Sequence, residues 1–432
     1  MIGSILDALS SVEPDISIMI VFKPNFLTYK VLILIIIIYI SSLGKEHTHG
    51  DLIKSIPNDF LFNSSLQNEF SDVFLSKNVA EKVSKYLLET HYNHIKEDRK
   101  KEMTNREVEI SDLQMKFFYK TFGKKPKDGW SMYISMHGGG QVESEYNDQQ
   151  WENQKTLYSI EEGVYLVPRA PTNTWDLWHQ VHIDTFFHHI IQNMIVHLDV
   201  DPNRVYIMGY SAGGDGVYQL APRMADRLAA AAMMAGHPNE TSPLGLRNIG
   251  FTIHMGENDT PYSRNTVAID WKKQLSSLHK KDPKGYKHHV EIHQGMGHWL
   301  EGRDSVAIPW ISEFIRNPFP KRVVWKQDDV TRRQFYWLGV KNPQSRSEII
   351  ANMKDQTIVI EKSDVQNLVL YFNDTMLNMD KKVLVEYNGE KLFYGNVERD
   401  LKTIAASIKR YADPHMIYYG SLEVKIPIDV GL

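Results

Sequence analysis

A serine flanked by glycines is the first feature of this sequence that could do covalent chemistry. The segment Gly209-Tyr-Ser-Ala-Gly213 follows an apolar, strand-like run and precedes a helix-like stretch. A sharp strand-to-helix turn exposes a serine hydroxyl, and its neighbours must be small because larger side chains would clash there. The helix N-terminus would then face a developing oxyanion. A glycine-rich turn with a capping serine is the alternative, since such short motifs also occur by chance.

A base and an acid that could activate Ser211 follow it in the chain. A serine hydroxyl needs a base to accept its proton, and the base needs a carboxylate that holds its tautomer. Asp259 and His298 each lie on a loop directly after a strand-like run, which brings both to the edge where Ser211 is expected. Glu257 lies on the same loop as Asp259 and is the rival acid. The alternative for His298 is a loop histidine that only hydrogen-bonds the backbone.

A run of three glycines could supply the groups that stabilise negative charge. Gly138-Gly139-Gly140 follows His137 at the end of an early strand-like run. Glycine lets backbone N–H groups approach a substrate oxygen closely, and the N–H of Ala212 would complete an oxyanion hole. We predict Gly139 as the first donor, with Gly138 or Gly140 as alternatives. A tight turn without a ligand is the other interpretation.

Three tryptophans on neighbouring loops could line a substrate pocket. Trp175 and Trp178 lie on a long loop after the strand-like run VYLVP, and Trp299 follows His298. They could form an aromatic wall for an acyl or aryl group. Aromatic loop residues serve about as often as packing anchors.

Together these segments resemble the α/β-hydrolase superfamily. The set HGGGQ, GYSAGG, GENDT and GMGHW is similar to esterases grouped with poly(3-hydroxybutyrate) depolymerases, feruloyl esterases and dienelactone-hydrolase-like enzymes. The resemblance covers about residues 106–317, and Gly139 stands where the depolymerases carry Cys. It implies a serine esterase with Ser211, Asp259 and His298 as the triad. It also implies Gly139 and Ala212 as oxyanion donors, with a small-molecule or polymeric carboxylic ester as substrate.

Composition excludes several other classes of protein. The 432 residues carry 49 Lys+Arg against 53 Asp+Glu, a net charge of -4 that gives no reason to expect nucleic acid as a partner. Cys is absent, so disulfides, thiolate metal sites and a Cys nucleophile are excluded. The histidines on or near one predicted helix have no HExxH motif and no i, i+4 pair, so we expect no metal and no cofactor. These histidines are His182, His188, His189 and His197.

The pattern of elements predicts a mostly parallel, doubly wound α/β sheet. Strand-like and helix-like stretches alternate through the catalytic domain, residues 106–317, and a helical lead at 45–105 is expected to pack against it. The predicted strands are 132–136, 164–167, 205–208, 251–255 and 290–292. The predicted helices include 185–198, a stretch after Ser211, and 267–279.

A second, mainly β domain is predicted at 321–432. Its size of about a hundred residues fits a small β-sandwich. Short apolar or alternating runs follow Pro318 and Pro320, and Asn388-Gly389 between two of them indicates a hairpin because both turn positions need positive φ. The strand-like runs are 357–360, 368–372, 383–387, 392–394 and 422–426.

The first 44 residues resemble an export signal. An apolar run of ten residues, Val31 to Ile40, follows Lys23 and Lys30 and precedes small residues up to Gly44. A membrane span needs about 20 apolar residues, which favours a cleaved signal over a retained N-terminal anchor. The start of translation could be Met1 or Met19. We therefore expect an exported protein, secreted or periplasmic.

Two other functions stay open at this point. A serine peptidase would use the same triad, although amide hydrolysis needs better protonation of the leaving group. A polymer- or glycan-binding protein would work through residues 321–432 and carry a vestigial hydrolase domain.

The predicted base gives an expected pH dependence. A histidine accepts the serine proton only when its imidazole is neutral, so ester hydrolysis should fall as the pH drops through about 6–7. The measurement is the initial hydrolysis rate of a soluble ester across this range. A flat rate between pH 5 and pH 8 would contradict His298 as the base.

Overall fold

A computed structural model describes residues 56–57, 59–69 and 74–427 of the chain. The chain divides into two compact units, Met1–Pro57 and Asn58–Leu432, and every element below belongs to the second unit. The predicted signal or anchor at 1–44 lies outside the described residues. Within the described ranges, no helix has the length and apolar character needed to cross a bilayer.

The helices and strands up to residue 312 form the helical lead and the α/β part of the molecule. The helices are α1 Ser64–Glu69, α2 Lys77–Asp98, α3 Lys100–Asn105, α4 Ser144–Leu157, α5 Val181–Leu198, α6 Ala212–Arg223, α7 Arg264–Lys281 and α8 Ala307–Ser312. The strands are β1 Glu107–Ile110, β2 Leu113–Phe122, β3 Trp130–Met136, β4 Gly163–Pro168, β5 Val200–Tyr210, β6 Ala230–Met234, β7 Gly250–Gly256 and β8 His288–His293.

These eight strands form one sheet in the order β1-β2-β4-β3-β5-β6-β7-β8. Strands β3 to β8 pair in parallel, whereas β1 and β2 form an antiparallel hairpin that joins the sheet along β4. The mostly parallel α/β sheet predicted from the sequence is confirmed. The hairpin β1–β2 and strand β6 were not among the predicted strands.

Helices cover both faces of this sheet, which explains the near-continuous apolar runs of its central strands. On one face, Phe186 of α5 and Val217 of α6 pack with Ile207 of β5. On the other, Ile308 of α8 packs with Tyr206 and Met208 of the same strand. Packing on both faces therefore fixes the position of β5. Ser211 directly follows the carboxyl end of this strand.

The region after residue 320 is rich in β structure, as predicted. Its strands form a five-stranded sheet, β16-β15-β13-β12-β9, and a four-stranded sheet, β10-β11-β14-β17, joined by one further helix. The elements are β9 Arg322–Lys326, β10 Gln334–Phe335, β11 Leu338–Val340, β12 Glu348–Lys354, β13 Thr357–Ser363, β14 Asn367–Phe372, β15 Val383–Tyr387, β16 Glu390–Gly395, α9 Leu401–Tyr411 and β17 Gly420–Lys425.

The predicted hairpin at Asn388-Gly389 is confirmed. Tyr387 of β15 pairs with Glu390 of β16, which leaves a two-residue turn. Asn388 has φ +52° and Gly389 has φ +79°, the left-handed values that such a turn requires.

The lead helix α2 packs against both later parts of the chain. Its residue Tyr92 donates a hydrogen bond from its hydroxyl to the carbonyl of Ala412, at 3.1 Å, just after α9. Arg99, directly after α2, donates to Gln192 and Asn193 of α5. The lead therefore bridges α5 of the α/β part and the end of α9.

Buried charges join the α/β part to the β-rich region. The carboxylate of Asp413 accepts a hydrogen bond from Arg316 at 2.6 Å and lies 3.5 Å from Arg227, and all three side chains are buried. In a second contact, Arg332 of the β-rich region donates to Asp226 of the α/β part at 2.8 Å. Burial disfavours the charged carboxylate, but Arg316 and Arg227 outweigh it and hold the pKa of Asp413 below its ordinary value.

Replacing this carboxylate tests how much the junction contributes to stability. Asp413→Asn should lower the free energy of unfolding at pH 7 by about 3–5 kcal/mol, because it leaves two buried guanidinium groups without their counter-charge. The lowered pKa means that the contribution of Asp413 is present above about pH 4 and is lost as the pH falls further. Urea unfolding at pH 7 measures the first effect, and a series of measurements from pH 4 downward measures the second.

The exposed Lys341–Glu423 pair offers a matched control. Glu423→Gln should change the free energy of unfolding by less than about 1 kcal/mol. Equal effects of the two substitutions at pH 7 would contradict the role assigned to Asp413.

Candidate active site

Ser211 lies on a strained turn between β5 and α6. Its backbone has φ +56° and ψ -120°, a conformation that L-residues rarely adopt. A Cβ on Gly209 would lie 2.2 Å from the carbonyl oxygen of Gly213, and one on Gly213 would lie 2.1 Å from that of Met136. Only glycine fits at these two positions. The Gly-x-Ser-x-Gly pattern is therefore a steric requirement of this turn.

The structure brings Ser211, His298 and Asp259 together. The Nε2 atom of His298 lies 2.9 Å from the Oγ atom of Ser211, and its Nδ1 atom lies 2.7 Å from Oδ2 of Asp259. With Nδ1–H donating to the carboxylate, the Nε2 lone pair faces the serine hydroxyl. The Asp259 side chain is buried, whereas that of His298 is partly exposed. This is the arrangement in which an imidazole can remove the serine proton.

Glu257, the rival acid, has a different partner. Its Oε2 atom accepts a hydrogen bond from the backbone N–H of Gly295 at 2.9 Å. The N–H of Asn258 donates to the carbonyl of Met296 at 2.8 Å. The loop after β7 is thereby joined to the loop after β8, and of the two acids Asp259 contacts the imidazole.

Tyr210 anchors the loop that carries the base, a role that the sequence analysis did not assign. Its hydroxyl donates to the carbonyl of His298 at 2.7 Å and accepts from the N–H of Leu300 at 2.8 Å. Tyr210 occupies the variable position before Ser211 in the motif. The same turn therefore presents the nucleophile and fixes the histidine loop.

The glycine run after β3 lies beside the nucleophile. A Cβ on Gly138 would lie 3.3 Å from that of Ser211. The N–H of Gly140 already donates to Oδ1 of Asn147 at 3.0 Å, so it is not free to bind a substrate oxygen. Neither the Gly139 N–H nor the Ala212 N–H donates to an acceptor among the described residues. Both predicted oxyanion donors thus keep an N–H that a substrate oxygen could use.

Two buried polar residues, His137 and Asn147, hold this glycine run. Nδ1–H of His137 donates to the carbonyl of Gly138 at 2.6 Å, and its Nε2 accepts from the N–H of Ala170 at 3.1 Å. Burial lowers the pKa of His137 to about 3, so the ring is neutral and can make both contacts. Asn147 bonds both the N–H and the carbonyl of Gly140. Neither role was recognised from the sequence.

The three tryptophans have different environments. Trp178 is 0% exposed, and its indole N–H donates to the carbonyl of His137 at 3.0 Å. The prediction that Trp178 lines the pocket is therefore wrong, because the ring packs beneath the glycine run. Trp175 is 58% exposed, and Trp299 is 55% exposed with its ring 5.6 Å from that of Tyr210. These two rings are accessible to a ligand.

Two of the four helix histidines considered as metal ligands contact charged side chains of the protein. Nε2 of His188 accepts from Arg332 at 3.0 Å, and His189 contacts Glu102 at 2.7 Å. Burial lowers the pKa of His182 and of His197 below the ordinary value. Among the described residues, no three-residue group of possible metal ligands includes any of the four.

Asp215 places a second carboxyl near the triad, in the first turn of α6. It accepts a hydrogen bond from the backbone N–H of His237 at 2.6 Å. Burial raises the pKa of Asp215 to about 6, although this bond and the charges of Arg264 and His298 act in the opposite direction.

One family model matches part of the chain. Residues 169–306 match the Dienelactone hydrolase family. The matched range contains Ser211, Asp259 and His298. No curated protein matches the chain.

Several solved structures are similar to about half of the chain. A thermostable esterase is 17% identical with a TM-score of 0.38, and the match covers 49% of this chain and 62% of that one. A ferulic acid esterase is 16% identical with a TM-score of 0.31, covering 46% and 98%. An acetyl xylan esterase from Aspergillus awamori is 12% identical with a TM-score of 0.34, covering 48% and 97%. The chain spans less than two thirds of the thermostable esterase.

The class of protein follows from the sheet and the family match. The strand order, the parallel strands and the match to the Dienelactone hydrolase family confirm the expected α/β-hydrolase fold. The match supports the expected class of enzyme, a carboxylic ester hydrolase.

The buried carboxyl of Asp215 gives a testable effect on stability. A raised pKa means that stability falls as the pH rises from about 4 to about 6, where the folded state must give up a proton it binds tightly. Asp215→Asn removes this buried charge and can still accept the His237 N–H. It should raise the free energy of unfolding at pH 7 by about 1–3 kcal/mol and have little effect below pH 4.

Urea unfolding at pH 4 and pH 7 measures this difference. Asp270→Asn, at an exposed ion pair on α7, is the matched control and should change the free energy of unfolding by less than about 1 kcal/mol. An Asp215→Asn variant that is less stable than the wild type at pH 7 would contradict the assignment.

Proposed function

We propose that this protein hydrolyses carboxylic esters through an acyl-enzyme on Ser211. The observation that carries the proposal is the hydrogen-bonded series from Ser211 Oγ through His298 to the buried carboxylate of Asp259. Separate hydrogen bonds at 2.9 and 2.7 Å provide a base and hold its tautomer. A glycine-rich turn with a merely capping serine would not need this arrangement.

The proposed mechanism gives each group of the site a role in acylation. His298 accepts the Ser211 proton as the serine oxygen attacks the ester carbonyl, and the N–H groups of Gly139 and Ala212 stabilise the tetrahedral oxyanion. His298 then protonates the departing alcohol. Water, activated by the same imidazole, hydrolyses the acyl-enzyme and restores the free serine.

The remaining features of the site support an ester that carries an apolar or aromatic group. Trp175 and Trp299 present exposed rings on loops at the active-site edge. Such rings bind acyl or aryl groups through apolar contact. The substrate that we propose is therefore a small-molecule or polymeric carboxylic ester, with no metal or cofactor taking part in the step.

We propose an exported location for this activity. The apolar run from Val31 to Ile40, with Lys30 before it and small residues after it, supports an export signal. A retained run would make the same segment an N-terminal anchor.

Labelling with a fluorophosphonate tests the nucleophile directly. The probe should label the wild type, and Ser211→Ala should abolish labelling and lower ester turnover by about 10⁴-fold or more. Ser312→Ala is the matched control, because that hydroxyl bonds the carbonyl of Pro309 and Tyr133 and its loss should leave labelling unchanged. Equal labelling of the wild type and Ser211→Ala would end the assignment.

Substrate comparison then separates an esterase from a peptidase. Turnover of p-nitrophenyl esters should greatly exceed that of aminoacyl anilides, because an alcohol leaves more easily than an amine. Faster cleavage of the anilides would favour the peptidase. A labelled Ser211 with no turnover of either substrate would contradict ester hydrolysis while leaving the nucleophile intact.

A further inference from the structure

A second cluster of reactive side chains lies on the outer strands of the sheet, β7 and β8. His289, Glu291 and His293 alternate along β8 and therefore project from one face. His254 of β7 pairs in register with Glu291. The mechanism proposed for Ser211 uses none of these four residues.

We propose that His254, Glu291 and His293 bind a Zn²⁺ ion. One possible ligand atom from each residue lies within 4.8 Å of the other two. Nδ1 of His254 and Nε2 of His293 are 3.2 Å apart, and Oε2 of Glu291 is 3.9 Å from the first of these atoms. Two imidazoles and a carboxylate are a ligand set that Zn²⁺ favours.

The separation of the two nitrogens fits a tetrahedral ion. With Zn–N bonds of about 2.05 Å, nitrogens 3.2 Å apart subtend an angle of about 100° at the metal, close to tetrahedral. Glu291 would complete the set by a rotation of its side chain, which is 43% exposed. The two histidines are buried, so their position is fixed by packing before the ion arrives.

The partner of His254 on its other side also suits a metal ligand. Nε2 of His254 lies 3.0 Å from Oγ1 of the buried Thr252. An Nε2–H that donates to this oxygen leaves Nδ1 with a free lone pair facing His293. Metal-binding histidines characteristically donate their second N–H in this way, which fixes the tautomer and the ring orientation.

His289 lies at the solvent side of this cluster, outside the group of three ligands. Its Nε2 atom lies 3.7 Å from Oε2 of Glu291, and its side chain is exposed. The ion would therefore enter from the solvent side, past Glu291 and His289, and reach the two buried nitrogens last.

An ion here would link β7 and β8, the two strands that precede the loops of Asp259 and His298. β7 leads into the loop of Asp259, and β8 leads into the loop of His298. The carbonyl of His293 accepts the N–H groups of Glu257 and Met296, one from each loop. Zn²⁺ would stabilise this edge of the sheet and the positions of both loops.

The experiment measures binding of Zn²⁺ to the full chain and does not depend on ester hydrolysis. After treatment with EDTA and its removal, the wild type should bind one Zn²⁺ per chain in calorimetry, with a rise in Tm. Co²⁺ in place of Zn²⁺ should give the visible absorption of a tetrahedral site. Glu291→Gln should weaken this binding at least about tenfold and remove the Tm rise.

Glu291→Gln is the decisive variant because its exposed side chain can change without disturbing the fold. His293→Gln should have the same effect, with circular dichroism as the check that it folds. His288→Gln is the matched control on the same strand, since His288 contacts Ser276 and the carbonyl of Tyr286 instead. Its affinity for Zn²⁺ should equal that of the wild type.

Two results would overturn the proposal. The first is a wild-type chain that binds no Zn²⁺, in which case His254 and His293 only share a hydrogen bond. The second is equal Zn²⁺ affinity of the wild type and Glu291→Gln, which would place any bound ion elsewhere. Because neither readout uses catalysis, failure here leaves the proposed esterase untouched, and an inactive esterase leaves this site untouched.

Discussion

The left-handed backbone at Ser211 is the constraint on which the rest of the site depends. A non-glycine residue held there costs of the order of 1–3 kcal/mol, and it persists only when its surroundings determine it. Here the turn follows β5, which is paired on both sides by β3 and β6, and it leads into α6. Gly209 and Gly213 remove the side chains that would otherwise collide. The strained backbone conformation directs the Ser211 hydroxyl toward His298.

The parallel sheet explains why residues far apart in the chain could be placed together from the sequence. Parallel strands have their carboxyl ends at one edge, so loops after β3, β5, β7 and β8 must converge there. Asp259 and His298 were identifiable because each lies on the loop after a predicted strand. The sequence alone does not decide between Asp259 and Glu257, because two acids on one loop differ only in where their side chains point.

Other features gave little or misleading local signal. Strand β6 is Ala-Ala-Ala-Met-Met, and alanine favours helices, yet all five residues are buried in the centre of the sheet. Packing there overrides propensity. Asn147 is an ordinary polar residue of a helix in sequence, and only the fold brings its amide to Gly140. His289, Glu291 and His293 share a face because they alternate along a strand, a pattern that differs from the helical spacing of metal ligands.

The junction with the β-rich region bears on how independently that region could act. An isolated fragment beginning at residue 321 would lose Arg316 and Arg227, the two cations that balance the buried Asp413. The remaining α/β part would in turn lose the carboxylate that pairs with its two guanidinium groups. The apolar core is also continuous, since Leu246 and Trp325 belong to one cluster. The β-rich region therefore shares its core and its buried charges with the α/β part.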